Sequence, residues 1–237
     1  MLYLSGIRIA EVDGDVYPGN IPAIRSIRYS GGLDFTQPVT FFVGENGTGK
    51  STLLEAIAVS LRFNPEGGSK DFAFSTRDSH SPLYGALTPI RRGYPRDGYF
   101  LRAESFYNTA SYLEQMPDMA RYGGISLHEQ SHGESVIALV RNRFDGNGIY
   151  LLDEPEAALS PSRIMTLLVL IDELVKEGSQ FIIATHSPIL MAYPGAEILQ
   201  FTDEGIARAD YRETEHYRLT KQFLDEPERM LRYLLGD

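Results

Sequence analysis

Apolar residues along this chain fall into short runs between glycine, proline and polar turns, and the spacing within each run predicts its element. Residues 4–10 and 24–29 read as strands, with turns at Gly14-Asp15 and Gly31-Gly32, so the first 43 residues or so predict an antiparallel layer beside a main sheet. The run 39–43 predicts a strand. Leu53, Leu54, Ile57, Ala58 and Leu61 then recur at helical spacing and predict a helix to about Arg62, buried on that face. From 63 to about 130 the pattern turns loop-rich, with polar turns at 64–69, 79–82 and 91–98. Only 99–103 reads as a strand there, and 106–116 as a short helix. This stretch predicts a small lobe inserted into a core made of 1–62 and 131–237, the whole forming a single domain over 1–237. Beyond it, 136–140 reads as a helical run and 148–152 as a buried strand ending in Asp153-Glu154. Ser160 caps, and Pro161 opens, a helix that continues to about Glu177, just before Gly178. The run 181–185 is a buried strand ending at His186, 198–201 predicts an edge strand, and 216–235 a helical segment broken at Pro227. Continuously apolar strands alternating with helices predict an α/β fold with a mostly parallel sheet flanked by helices.

Composition narrows this little. The chain has 237 residues, 43% hydrophobic and 23% charged, in the ordinary range for a globular domain. The net charge of −10 speaks against a global field that would draw it to nucleic acid or anionic lipid. Arg91, Arg92 and Arg96 make the one basic cluster of the expected lobe, a solvated turn or a contact for a partner or for nucleic acid. With no cysteine, disulfides, thiolate zinc sites and cysteine nucleophiles drop out together. The N-terminus lacks a basic stretch followed by an apolar one, and the longest apolar run, 164–171, is far too short to cross a bilayer. A cytoplasmic protein without membrane insertion is expected.

The chemistry begins at Gly44, Glu45, Asn46, Gly47, Thr48, Gly49, Lys50 and Ser51, followed by Thr52. This is the spacing of a P-loop, set between a strand and a helix, so the class expected is a P-loop NTPase. Glycines let the backbone turn tightly and bring N–H groups against phosphate oxygens. The helix start adds the positive end of its dipole. Lys50 is then expected to reach the β- and γ-phosphates, and the Ser51 hydroxyl to ligate Mg²⁺. Asp153, at the end of an apolar strand, suits a carboxylate that holds the metal. Glu154 can act as general base toward water. His186, at the neighbouring strand end, can hydrogen-bond the γ-phosphate. Tyr17, Arg25 and Tyr29 are candidates to stack on adenine.

Taken together these blocks resemble the ABC-type ATPases. Residues 44–51 are similar to their Walker A, 149–154 to Walker B, 158–161 to the D-loop and 184–188 to the switch-histidine loop. Ser131-His132-Gly133-Glu134-Ser135 stands where the family has its signature Ser-Gly-Gly-Gln. The wording Asp-Glu-Pro-Glu-Ala-Ala-Leu-Ser-Pro with Thr-His-Ser-Pro looks closer to the non-transporter branch. That branch holds RecF-like, SMC-like and overcoming-lysogeny-defect ATPases and small stand-alone ATPases. The resemblance implies ATP as substrate, Mg²⁺ as cofactor and a head-to-tail homodimer in which Ser131 and Gly133 meet the partner's nucleotide. Family members also place a glutamine near the metal. Either Glu104, after the 99–103 strand, takes that place, or no residue does. Glu134 near a triphosphate would repel it unless it points away.

An SMC-type arm is not expected, since only about eighty residues, without heptads, separate Walker A from the signature. Two other machines stay open: the nucleotide-binding subunit of a membrane transporter, and an ATP-dependent switch acting on DNA or on an effector nuclease. In each, an unidentified partner protein carries the load.

Overall fold

The computed structural model describes residues 2–13, 16–69, 81–104 and 132–236. The expected helix at 106–116 and Ser131 lie outside them. Two sheets organise the rest. A three-stranded antiparallel sheet has the order β2-β1-β4, from β1 (Leu4–Ile9), β2 (Leu33–Asp34) and β4 (Leu87–Arg91). A six-stranded sheet has the order β5-β6-β7-β3-β8-β9. It is built from β3 (Val39–Gly44), β5 (Asp97–Arg102), β6 (Gly148–Asp153), β7 (Gln180–Ala184), β8 (Glu197–Thr202) and β9 (Gly205–Arg208). The first five strands in that order run parallel, and β9 closes the edge antiparallel to β8.

Alternating residues of the parallel strands feed two cores, one on each face. Phe41, Tyr150, Leu152, Phe181 and Ile183 pack under α3 (His132–Arg143), α4 (Pro161–Lys176) and α5 (Pro188–Met191). Phe42, Leu151, Ile182, Ala184 and Phe201 pack under α1 (Pro22–Tyr29) and α2 (Lys50–Ser60). α2 is buried well beyond its predicted face: Leu53, Leu54, Glu55, Ala56, Ile57 and Ala58 are all inside. The antiparallel sheet and a 3-10 turn at Pro82–Gly85 add Leu4, Ile7, Leu83 and Leu87 to this second core. Gln180, wholly buried, ties the two sheets together. Its Oε1 accepts from the backbone N–H of Tyr3 (2.8 Å) and Leu4 (2.9 Å), and its Nε2 donates to the Leu4 carbonyl (2.8 Å).

Three expectations are corrected. The run 24–29 is a helix, α1, and not a strand: Pro22 sits at its first turn, and Ala23, Ile24 and Ile27 form one buried stripe at helical spacing. The run 198–201 is interior and not an edge, because β8 pairs with β3 on one side and β9 on the other. β4 and β5, which fall inside the stretch expected as an inserted lobe, belong to the two sheets instead, β4 beside β1 and β5 beside β6. The C-terminal prediction corresponds to two helices, α6 (Glu215–Asp225) and α7 (Pro227–Leu235), broken at Pro227. No helix among the described residues is long and apolar enough to cross a membrane.

Candidate functional site

Register brings the chemistry to one end of the parallel sheet. Ala184 pairs with Phe42 on one side and Asp153 on the other, so the carboxyl ends of β3, β6 and β7 lie side by side. In open α/β sheets that edge is where ligands bind.

β3 ends at Gly44 and α2 starts at Lys50, with the loop between them forced into glycine conformations. Gly44 has φ 149°, and a Cβ there would come within 2.3 Å of the Phe201 carbonyl oxygen. Gly49 has φ 98°, and a Cβ would meet Ile21 Cγ2 at 2.6 Å. The loop therefore nests against β8 and against the residue before α1, and no side chain fits at either place. Glu45, Asn46 and Gly47 are exposed at its tip, while the Thr48 hydroxyl closes it by donating to the Glu45 carbonyl (2.8 Å). Lys50 is buried, and its Nζ donates to the carbonyls of Gly44 (2.7 Å) and Glu45 (2.9 Å). Burial pulls its pKa below the usual ammonium value, while Glu154, Asp153, Glu45 and Glu156 push it back up. Thr52, half-buried, follows Ser51 in the first turn of α2.

Ser51 Oγ donates to Asp153 Oδ1 at 2.9 Å, joining the start of α2 to the end of β6 across 102 residues of chain. These are hard oxygen donors on a single carboxylate and a hydroxyl, which suits Mg²⁺ held largely by substrate oxygens and water. No group of three or more His, Cys, Asp or Glu that could hold a metal ion by itself occurs among the described residues. Burial pushes the Asp153 carboxyl up to about 6, against the Ser51 hydrogen bond and Arg102. Its ordinary value is 3.8, so the folded protein holds the proton more tightly than the unfolded chain does. The contribution to stability is complete below about pH 4 and is lost as pH rises to about 6, a cost of up to about 3 kcal/mol at neutral pH. Asp153→Asn is therefore expected to raise the melting temperature by several degrees in EDTA at pH 7.5. A fall in melting temperature would contradict the burial argument.

Glu154 sits in the left-handed region, φ 51° and ψ 50°, a conformation that costs a residue with a Cβ about 1–2 kcal/mol. Its N–H donates to the Ala184 carbonyl (2.9 Å), which holds the turn, and its carboxylate Oε1 lies 3.6 Å from His186 Nε2. The following turn is locked by Glu156, whose Oε1 accepts from Thr185 Oγ1 (2.7 Å) and from the His186 N–H (2.6 Å). The Asp153–Glu154 turn and the His186 loop thus share one carboxylate.

The remaining expected residues are placed as follows. Glu104 has a side chain 86% exposed and pairs with Arg102 at 3.4 Å. Gly133 is buried in the first turn of α3, where a Cβ would meet the Ala158 carbonyl at 2.6 Å and Arg163 Nη1 at 2.8 Å. Glu134 points to Arg163, 2.8 Å away. Tyr29 is almost fully exposed at the end of α1, Arg25 is exposed on the same helix, and Tyr17 lies four residues before Ile21, the residue that packs on Gly49. Of the basic cluster, Arg91 Nη2 donates to the Ser60 carbonyl at 2.9 Å, and all three arginines are exposed.

Sequence reasoning missed three side chains here. Arg102, opposite Asp153 in the β5–β6 register, donates from Nη1 to Glu55 Oε2 on α2 (2.7 Å), and its Nε lies 3.9 Å from Asp153 Oδ2. Glu156 was visible only as part of a motif. His216, at the start of α6, has its Nε2 3.0 Å from His186 Nδ1. The apolar strand before Arg102 and the motif around Glu156 are the signals for the first two, and His216 has none.

Two family models match the chain: one described as "AAA domain" over residues 20–88, and one described as "AAA domain, putative AbiEii toxin, Type IV TA system" over residues 121–192. Among curated proteins the chain is similar to the pyoverdine export ATP-binding/permease protein PvdT of Pseudomonas fluorescens (strain Pf0-1). The two are 26% identical over 222 residues, covering 82% of this chain and 32% of that protein. It is also similar to the macrolide export ATP-binding/permease protein MacB of Hahella chejuensis (strain KCTC 2396), 23% identical over 212 residues, with 78% and 28% covered. The chain thus spans only 28% to 32% of the length of these two relatives. A solved nucleotide-free ATP-binding cassette from an ABC transporter superposes with a TM-score of 0.55 at 17% identity, covering 96% of this chain and 97% of that one. The cassette MJ1267 gives 0.50 at 16% identity, with 96% and 97% covered. These likenesses fix the fold.

Proposed function

We propose, for a chain that carries an AAA/ABC-type P-loop ATPase domain, that it hydrolyses ATP to ADP and phosphate with Mg²⁺ and does so as a head-to-tail homodimer around two nucleotides. The observation that carries this reading is the Ser51–Asp153 hydrogen bond. It couples the phosphate-binding loop to an acid-ended strand, with Lys50 adjoining one partner and Glu154 the other.

The chain's own groups divide the work. Backbone N–H groups of the 44–51 loop and the start of α2 receive phosphate oxygens. Lys50 exchanges its two carbonyl acceptors for β- and γ-phosphate oxygens. Ser51 and Asp153 would hold Mg²⁺, which when bound neutralises charge on those oxygens. Glu154 takes the proton of the attacking water as the bond to the ADP oxygen breaks, and His186 donates a hydrogen bond to the γ-phosphate. Arg163 draws Glu134 aside, which relieves the repulsion that an acid in the signature would otherwise bring. Ser131 and Gly133 would meet the nucleotide of the second copy. Cytoplasmic placement and an unidentified effector protein complete the reading.

The direct test is phosphate release from ATP by the purified chain, expected with Mg²⁺ and absent in EDTA. No release at saturating MgATP would sink it. Ser131→Arg is expected to block the ATP-dependent dimer while leaving ATP affinity within about threefold, because a large cation at the interface opposes docking rather than nucleotide entry. Dimerisation unchanged in that variant, read by light scattering, would remove Ser131 from the interface. A second reading, the nucleotide-binding part of an exporter, is favoured by the names of the two relatives, both ATP-binding/permease proteins. Co-purification of a permease with the chain would select it.

A further inference from the structure

His186 has two ring nitrogens with different surroundings. Nε2 is buried, faces Glu154 Oε1 at 3.6 Å and has no hydrogen-bond partner among the described residues. Nδ1 lies 3.0 Å from Nε2 of His216, with the rings tilted at 52°. Between two neutral imidazoles that bond contains one hydrogen, so the tautomer of one ring fixes the tautomer of the other. Burial lowers the pKa of both rings, with Lys50 adding to the effect on each, while Glu45 raises both and Glu154 or Glu215 raises one each. The balance favours the neutral pair.

His216 is also held firmly. It is the second residue of α6, whose N-cap, Thr214, is fully buried; the Thr214 hydroxyl accepts from the Tyr217 N–H and donates to the Tyr211 carbonyl at 2.8 Å. Tyr211 and Tyr217 pack ring to ring, 4.6 Å between centroids, across that cap. The ring is therefore presented from a fixed helix start.

We propose that His216 is a positioning residue: its Nε2–H donates to His186 Nδ1 and holds His186 in the tautomer whose Nε2–H points to Glu154 and the γ-phosphate. If α6 moved away, His186 would be free to place its proton on Nδ1, and its Nε2 would offer phosphate a lone pair instead of a donor. The inference rests on the ATPase reading, and its tests are chosen so that the two can fail separately.

The experiment compares the wild-type chain with His216→Phe and His216→Gln. Phe keeps the ring volume without the donor; the Gln amide can donate from nearly the same position. Hydrogen-bond partners that orient a metal-ligating histidine are worth about 10–100-fold, and by analogy His216→Phe is expected to lower kcat by a similar factor. KM for ATP should stay within about threefold, and His216→Gln should recover most of the lost rate. Imidazole ¹⁵N NMR should find His186 protonated at Nε2 in wild type and shifted toward the Nδ1–H form in His216→Phe. An unchanged kcat in the Phe variant would overturn the inference, as would an Nδ1–H tautomer of His186 in wild type. A Gln variant as slow as Phe, with both equally destabilised to heat, would reduce His216 to a packing residue and overturn it too. A wild type with the Nε2–H tautomer but no hydrolysis would instead overturn the ATPase reading and take the catalytic part of this inference with it.

Discussion

Lys50→Ala is expected to abolish measurable nucleotide binding or turnover, a loss of at least about 10²–10³-fold, as when a preorganised charge is removed from phosphoryl transfer. Lys50 is buried, and its Nζ is held by two loop carbonyls at the start of α2. The loss is functional rather than structural. A lysine ammonium at the start of α2 sits at the positive end of the helix dipole, and Ala is the better helix former there. Removing a buried cation costs its acidic neighbours some stabilisation, since Glu154, Asp153, Glu45 and Glu156 all favour the charged form. The two effects oppose each other, so the melting temperature should move by only a few degrees. Titration with a fluorescent ATP analogue and a phosphate-release assay check the variant together. Hydrolysis at the wild-type rate would sink the assignment of Lys50 and, with it, the reading of the loop as a phosphate site.

How much of this was legible in the sequence follows the range of the forces involved. The P-loop was readable because its geometry is local: glycines at Gly44, Gly47 and Gly49 all adopt positive φ, and each lies within a few residues of Lys50. The strands β6 and β7 were readable because a strand buried on both faces has to be apolar throughout. The segment 24–29 misled because Ile27 and Tyr29 alternate with polar Ser26 and Arg28 as in a strand, while Ile24 and Ile27 stand at helical spacing, and Pro22 is the deciding residue. β5 was recognised as a strand but assigned to a lobe, since nothing in residues 97–102 reveals that they pair in parallel with β6, 51 positions further on, Asp97 against Gly148. Arg102 and His216 were missed for the same reason. Each acquires its role from a partner distant in sequence, 47 residues for Arg102 with Glu55 and 30 for His186 with His216. Side-chain chemistry assembled by sheet register leaves no mark at either position alone.

That coupling also decides what Glu154→Gln should do, and the expected result is a protein that binds MgATP, hydrolyses it about 10²–10⁴-fold more slowly, and accumulates as a dimer. Gln is the same size as Glu and equally strained at φ 51°, and the backbone hydrogen bond from residue 154 to Ala184 is untouched, so the turn is expected to keep its shape. What disappears is the acceptor for the proton of water. Nucleotide affinity should hold or rise. Glu154 raises the pKa of Asp153 by charge repulsion, and its removal leaves Asp153 more readily ionised beside Ser51, where cation and phosphate would be held. If hydrolysis is what parts the two copies, a variant that binds without hydrolysing shifts the population toward the bound pair. Multi-angle light scattering should then find about twice the monomer mass of 26.5 kDa with MgATP and the monomer alone without it. A Glu154→Gln protein that binds MgATP to saturation yet stays monomeric would mean that the nucleotide is not shared between copies. The site would then have to work with one chain's residues alone, and neither Ser131 nor Gly133 would have a place in it.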